Sequence, residues 1–288
     1  MWKGIETPEF WGTRMSQPTM DKAVILARGL GTRMRRTDDR AALDHRQTAV
    51  AETGVKALIP LDRPFLDYVL SALADAGYHW VCLVVAPKYE AIRDYYVEQS
   101  PPRRVRIDFA IQEEPRGTAD AVAAAESFAG GDPFLVINSD DYYPVEALRS
   151  LRYEKGCATA LFEQESMLAG SNIPVDRLRH FAVGKIDERG CLQRVLEKPD
   201  PATLASLPRP LWLSMNCWRF GPAIFDACHN IRPSARGELE LPDAVQYAID
   251  SLGEPFRVVK VRAPVLDLTS RSDIAAVAAR LSGVEVNP

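Results

Sequence analysis

Lys22-Ala23-Val24-Ile25-Leu26-Ala27-Arg28-Gly29-Leu30-Gly31-Thr32-Arg33 reads as a buried strand that opens directly into a glycine-spaced loop. The branched apolar run up to Ala27 suits a strand covered on both sides. The glycines after it allow backbone N–H groups to come close to an anion, and the arginines add forked cations. The loop is not a dinucleotide fingerprint, because Met34 stands where the third glycine would be. Nor does it end in the Gly-Lys-Ser/Thr of a Walker A loop. Taken alone it fits a tight structural turn as well as a phosphate site.

Outward from that run, strands and helices alternate. Phe65, Leu66, Val69, Leu70 and Leu73 recur at helical spacing between Pro64 and Gly77, predicting a helix over 65–76. Strands are expected at 79–85, 104–111 and 134–138, with helices near 87–98 and 118–128. Further strands are expected at 157–163, 180–186, 191–196, 211–219 and 256–262, and helices near 221–229, 240–251 and 271–281. This order predicts an α/β fold: a Rossmann-like, mostly parallel mixed sheet with helices on both faces, forming one domain. The domain is placed at 21–288 after an N-terminal extension at 1–20, with a nucleotide-type half at 21–145 and a second half at 146–288. In such sheets ligands sit beyond the carboxyl ends of the strands, which directs attention to the loops after Ala27, Ile111 and Ile137. Residues 35–54 show little apolar periodicity and read as a solvated, mobile segment, which could close over a ligand bound between Arg33 and Lys56.

Composition narrows the function classes. The 288 residues are 47% hydrophobic and 26% charged, an ordinary globular mixture. With 35 basic and 39 acidic residues the formal net charge is -4, so no basic excess points to nucleic acid. No apolar run approaches the ~20 residues of a membrane-spanning helix, and the N-terminus lacks a secretory h-region. A cytoplasmic protein is expected. Its five scattered cysteines suit reduced core thiols better than disulfides or a zinc site.

Several short strings, in order over residues 22 to about 275, resemble the sugar-1-phosphate nucleotidylyltransferases. They are Val24-Ile25-Leu26-Ala27-Arg28-Gly29-Leu30-Gly31-Thr32-Arg33, Val55-Lys56-Ala57-Leu58-Ile59-Pro60-Leu61, Gln112 to Ala121, and Ile137-Asn138-Ser139-Asp140-Asp141. Glu197-Lys198-Pro199, Met215-Asn216 and Val265-Leu266-Asp267 complete the set. The resemblance implies transfer of a nucleoside monophosphate from an NTP to a sugar 1-phosphate, with pyrophosphate as the leaving group. It implies nucleotide contacts from Ala27, Gly29, Gly31, Thr32, Arg33, Gln112 and Gly117, with Gln112 reading a base edge. Arg33, Lys56 and Asp140 are implied as catalytic, Asp140 and Asp267 as ligands of a magnesium cofactor, and Glu197, Lys198 and Asn216 as acceptor contacts. Asp140 carries an independent argument, since a carboxylate at the end of an apolar strand is costly unless paired or bound to a cation.

The chain departs from the family pattern at Arg28, where a small residue is usual, and at Ala182, where a glycine is usual. Leu268 replaces a glycine after Asp267, and 22 residues separate Arg33 from Lys56. The expected partners are an NTP and a phosphorylated small molecule, without nucleic acid or membrane, and self-association is left open. A non-sugar acceptor such as phosphocholine or a phosphonate, or a non-catalytic nucleotide-sugar-binding regulator, are the alternatives. A glycosyltransferase is disfavoured because Ser139-Asp140-Asp141 is not a DxD pair. No repeat domain follows the last strand and helix, so a bifunctional acetyltransferase-linked arrangement is not expected.

Overall fold

A computed structural model describes residues 20–288, so the expected extension at 1–20 lies, apart from Met20, outside the described residues. The strands are β1 (Lys22–Leu26), β2 (Trp80–Val85), β3 (Arg106–Ile111), β4 (Phe134–Asn138), β5 (Asp141–Tyr142) and β6 (Cys157–Glu163), then β7 (Val183–Ile186), β8 (Leu192–Leu196), β9 (Trp212–Phe220), β10 (Phe256–Val261) and β11 (Leu266–Asp267). One sheet runs in the order β10-β6-β9-β4-β1-β2-β3, and β7 joins β8 to β9 at its side. The junctions β10–β6, β4–β1, β1–β2 and β2–β3 are parallel, whereas β9 is antiparallel to both β4 and β6. The mostly parallel mixed α/β sheet expected from the sequence is the one found.

The apolar run 23–25 is fully buried because both faces of β1 are covered. Ala23 and Ile25 join one core with Leu135, Ile137 and Leu83, while Val24 joins the opposite core with Cys82, Val84 and Val136. That alternation across one strand is the sheet's period of two, here with apolar residues on both sides. The helix Phe65–Ala76 is buried nearly all round, and Gly77, at φ 95°, ends it with Tyr78 N–H bonded to Leu73 O at 2.9 Å. All five cysteines are free and all but Cys191 are buried. Among the described residues no helix is long and apolar enough to cross a membrane.

The stretch 35–54, read from the sequence as solvated and of little apolar periodicity, contains regular structure. His45–Thr53 forms a helix, capped by a reciprocal pair in which Gln47 N–H donates to Asp44 Oδ1 and Asp44 N–H donates to Gln47 Oε1. Periodicity misses it because the helix buries only Ala51, so capping and one anchoring contact define it rather than an apolar stripe. Near 87–98, the expected helix is a short α-helical turn, Glu90–Arg93, continued by a wider-wound turn over Asp94–Gln99. Short helices at Val145–Tyr153, Gln164–Gly170, Val175–Leu178 and Pro201–Ser206 were not expected.

Candidate active site

The strand order places β1 between β2 and β4: the chain moves outward from β1 to β2 and β3, then crosses back to β4 on the other side of β1. Such a switch point opens a crevice at the carboxyl ends of the strands. Three adjoining cavities lie there. The first, about 250 Å³, is lined by Ala27, Arg28, Gly29, Lys56 and Asp140 among others. A second, about 370 Å³, shares Arg28, Gly29 and Asp140 with the first and adds Gln112, Gly117 and Asn216. The third, about 500 Å³, shares Asn216 with the second and holds Arg33, Arg177, Glu197, Lys198, Arg236 and Asp267.

Two glycines of the loop serve different ends. A Cβ on Gly31, at φ 61°, would stand 2.1 Å from Gly54 O, so this residue lets the chain before Lys56 pack against the loop after β1. Arg35 ties the same junction, its Nη2 donating to Thr53 O at 2.8 Å. A Cβ on Gly29 would meet nothing within 4 Å and would project into open cleft. Gly31 and Thr32 line none of the three cavities, and Arg33 faces the third cavity rather than the first. Arg28 spans the first two cavities and reaches the backbone after β3, with Nε 3.4 Å from Gln112 O.

Lys56 Nζ forms an ion pair with Asp140 Oδ2 in the wall between the cavities, both side chains being mostly buried. Gln112 is buried, and its Nε2 donates to Gly117 O at 2.9 Å and to Asp120 Oδ2 at 2.8 Å. Both partners are pure acceptors, which fixes the orientation of the amide and leaves Oε1 as its free polar atom. Gly117 is a glycine because its Cβ would lie 2.3 Å from Leu239 O.

Asp267 reaches Asp140 through the small antiparallel pair β5–β11. Asp141 faces Asp267 there, and Leu268 N–H donates to Asp140 O at 2.7 Å. Asn172 fixes the Asp267 backbone, its Nδ2 donating to Asp267 O at 2.7 Å and its Oδ1 accepting from Asp267 N at 2.9 Å. Burial and the neighbouring Asp140 carboxylate raise the Asp267 carboxyl above its usual range, against the pull of Arg177. Burial, then Asp267 and Asp140, hold Asp141 well above it. The Tyr143 hydroxyl donates to Met215 O at 2.6 Å and also lies 3.1 Å from Asp141 Oδ2. Asn138 Nδ2 donates to the same carboxylate oxygen at 2.9 Å.

On the far side, Lys198 at φ 41° and Asn216 at φ 52° are the positive-φ non-glycine residues among those described. Between the pairs Thr159–Trp218 and Leu161–Ser214 the register of β6 and β9 shifts, and Asn216 sits in the resulting bulge. Backbone strain of this kind collects at sites that need a side chain aimed against its preference. Burial and Glu240 raise the carboxyl of Glu197, with Arg236 and Lys198 opposing. Arg177, Arg236 and His180 also line this cavity and were not anticipated. Arg177 lies in a four-residue helix too short for any periodic signal. Arg236 has only its Ser-Ala-Arg-Gly turn as a cue.

Two solved structures share the fold. A UDP-glucose pyrophosphorylase complexed with UDP-glucose superposes with a TM-score of 0.69 at 18% identity, covering 92% of this chain and all of that one. An inositol-1-phosphate CTP transferase from T. maritima gives 0.70 at 16% identity, covering 92% of this chain and 96% of its own. In sequence, the chain is 28% identical to a low-salt glycan biosynthesis nucleotidyltransferase of Haloferax volcanii over 80% of this chain, and spans 59% of that protein's length. A UTP–glucose-1-phosphate uridylyltransferase of the same organism is 27% identical, covering 86% of this chain and 90% of its own. A glucose-1-phosphate thymidylyltransferase of Streptomyces griseus is 29% identical, with 80% of this chain and 58% of the relative covered. The nucleotidyl transferase family model matches residues 45–262, well over half of the 288, and the chain belongs to that family.

Proposed function

We propose that this nucleotidyl transferase joins a nucleoside monophosphate from an NTP to a sugar 1-phosphate. An acceptor phosphate oxygen attacks the α-phosphorus, the bond to the bridging oxygen breaks, and pyrophosphate leaves as the NDP-sugar forms. The observation that carries this reading is that the three cavities adjoin through shared Arg28, Gly29, Asp140 and Asn216, with the Lys56–Asp140 pair beside the glycine loop and Glu197, Lys198 and Asn216 in the third. Two anionic reactants placed from the two ends would meet beside Lys56, whose ammonium offsets charge at the crowded phosphorus. Gly29 lets the triphosphate approach the backbone closely with Arg28 beside it, while Arg33 faces the cavity of the acceptor contacts. Lys198 takes the acceptor phosphate, Glu197 and Asn216 the sugar hydroxyls.

Magnesium fits the residues present. Asp140 and Asp267 are brought together by the β5–β11 pair, burial and the Asp140 carboxylate raise the Asp267 carboxyl, and Asp267 Oδ1 is buried without a hydrogen-bond partner. A cation held by two carboxylates would keep water and phosphate oxygens as its remaining ligands, which magnesium prefers. Bound by these two carboxylates, magnesium would neutralise phosphate charge during transfer. Lys56 and Arg177 meanwhile serve as counter-ions for Asp140 and Asp267.

The base on this reading is uracil or thymine. With both Nε2 hydrogens of Gln112 committed, its Oε1 accepts, so it meets a base N–H: the N3–H of uracil or thymine, or an amine or ring N–H of the other bases. The uridylyl- and thymidylyltransferases among the relatives support the choice of uracil or thymine. A cytoplasmic setting agrees with the five unpaired thiols. Pyrophosphate release, read for each NTP against sugar 1-phosphates, inositol 1-phosphate and phosphocholine, tests the proposal. Release is expected with UTP or dTTP and a sugar 1-phosphate; release confined to CTP or to a non-sugar acceptor would overturn the base or acceptor assignment.

A further inference from the structure

Arg177 belongs to none of the strings that carry the family resemblance, yet its guanidinium sits in the middle of the carboxylate cluster. Nη2 lies 2.7 Å from Asp267 Oδ1, and Nη1 lies 3.4 Å from both oxygens of Asp273. The close pair is poorly aligned: Arg177 Nε, Arg177 Nη2 and Asp267 Oδ1 are all buried and none completes a hydrogen bond. Arg177 therefore offers charge to Asp267 without the directional bonds that would lock it there. Asp273, by contrast, is fully engaged, its Oδ2 accepting from Thr269 N at 3.1 Å, Ser270 N at 2.7 Å and Ser270 Oγ at 2.8 Å. One edge of the guanidinium is thus moored to a rigid loop and the other leans on a site carboxylate.

Resting on the assignment of Asp267 as a metal ligand, we propose that Arg177 is a built-in competitor of the divalent cation. It neutralises Asp267 when the metal is away and weakens metal binding when it arrives. Without it, buried Asp141 and Asp267 and the adjoining Asp140 would face one another with Lys56 as the only cation paired to them among the described residues. A cation within 3 Å of a ligand carboxylate lowers that carboxylate's pull on a second cation whichever oxygen the metal takes. Free magnesium then binds weakly, and tight binding waits for the triphosphate to bring its own negative charge. Arg177 is a positioning and affinity-setting residue on this account, not one that touches the reacting atoms.

The test measures binding of magnesium alone, by calorimetry and by the shift in melting temperature between EDTA and saturating magnesium. Arg177→Met, similar in bulk and uncharged, should bind magnesium about tenfold tighter or more. It should also melt several degrees lower than wild type in EDTA, with magnesium restoring most of the loss. Arg177→Lys should stay near the wild-type affinity because it keeps the charge. Arg177→Gln, which leaves a polar group for Asp273, carries the same expectation as the methionine variant should that one not fold. Unchanged or weaker magnesium binding in the uncharged variants, while Asp267→Asn abolishes it, would overturn the competitor role and leave the metal assignment standing. Unchanged magnesium binding in Asp267→Asn would remove the metal assignment and the inference with it.

Discussion

The two walls of the cleft are built by opposite means. The wall beside the glycine loop rises from parallel β1, β2 and β4, and backbone shapes it: Gly31 against Gly54, Gly117 against Leu239. The opposite wall rises from antiparallel β9 and the β7–β8 hairpin, and side chains shape it, with Lys198 and Asn216 held at positive φ and Arg177 leaning on Asp267. A wall of close-packed backbone would suit the triphosphate of the proposed donor. One of strained side chains can change its ligand by few substitutions, and the difference suits a shared nucleotide donor and a varied acceptor.

Substitutions can break this contrast, starting where the walls meet. Lys56→Ala and Asp140→Asn should each lower kcat by a hundredfold or more, since each removes charge at the point of transfer. Steady-state pyrophosphate release checks this, and near wild-type rates in either variant would detach that residue from the chemistry. On the backbone wall, Gly31→Ala should cost about 3 kcal/mol or more, from a side chain at φ 61° driven into Gly54. Gly29→Ala should melt like wild type, as its Cβ meets no protein atom, and should weaken nucleotide binding. Melting curves separate the two glycines, and similar destabilisation by both would contradict the division of roles.

On the side-chain wall the sign should reverse. Lys198→Gly relieves a left-handed lysine and should stabilise the protein by ~0.5–1 kcal/mol, the αL relief being partly offset by glycine's larger unfolded-state entropy. It should also raise the acceptor KM. Denaturant melts and acceptor titrations read the two effects, and a loss of stability would show that the strain is not there.

The smallest effect is the pH dependence of a carboxylate that serves neither wall. Asp67 is buried behind the first, its Oδ1 accepting from Tyr96 OH at 2.8 Å, and burial raises its carboxyl above the usual range against Tyr96 and Arg63. A raised folded-state pKa means that the native state holds the proton longer than the unfolded chain. Asp67's contribution is then fully present below the unfolded carboxyl pKa and is lost as pH rises through the folded one. Asp67→Asn should therefore gain in melting temperature relative to wild type as pH rises from about 4 through the raised folded-state pKa. A difference independent of pH would contradict the sign.

The same contrast governs what could be read from residues alone. The backbone wall was legible because its signals are local: the apolar run 22–27, the glycines at 29 and 31, and the aspartate closing an apolar strand at 140. Even there, the need for Gly31 comes from Gly54, 23 positions away in sequence and in contact only after folding. The side-chain wall yielded Glu197, Lys198 and Asn216 through resemblance, but Arg177 and Arg236 stayed hidden because a short helix and a turn leave no periodic trace. The helix His45–Thr53 was missed for a related reason, since its determinants are the Asp44–Gln47 cap and a single buried alanine.

Nucleotide affinity measured calorimetrically without acceptor, in Gly29→Val and in Lys198→Ala, tests the division of the cleft most directly. The account predicts that binding of UTP or dTTP is lost or strongly weakened in Gly29→Val, which puts a branched side chain where the triphosphate lies, and unchanged in Lys198→Ala. Equal loss in both variants, or loss in Lys198→Ala alone, would contradict it.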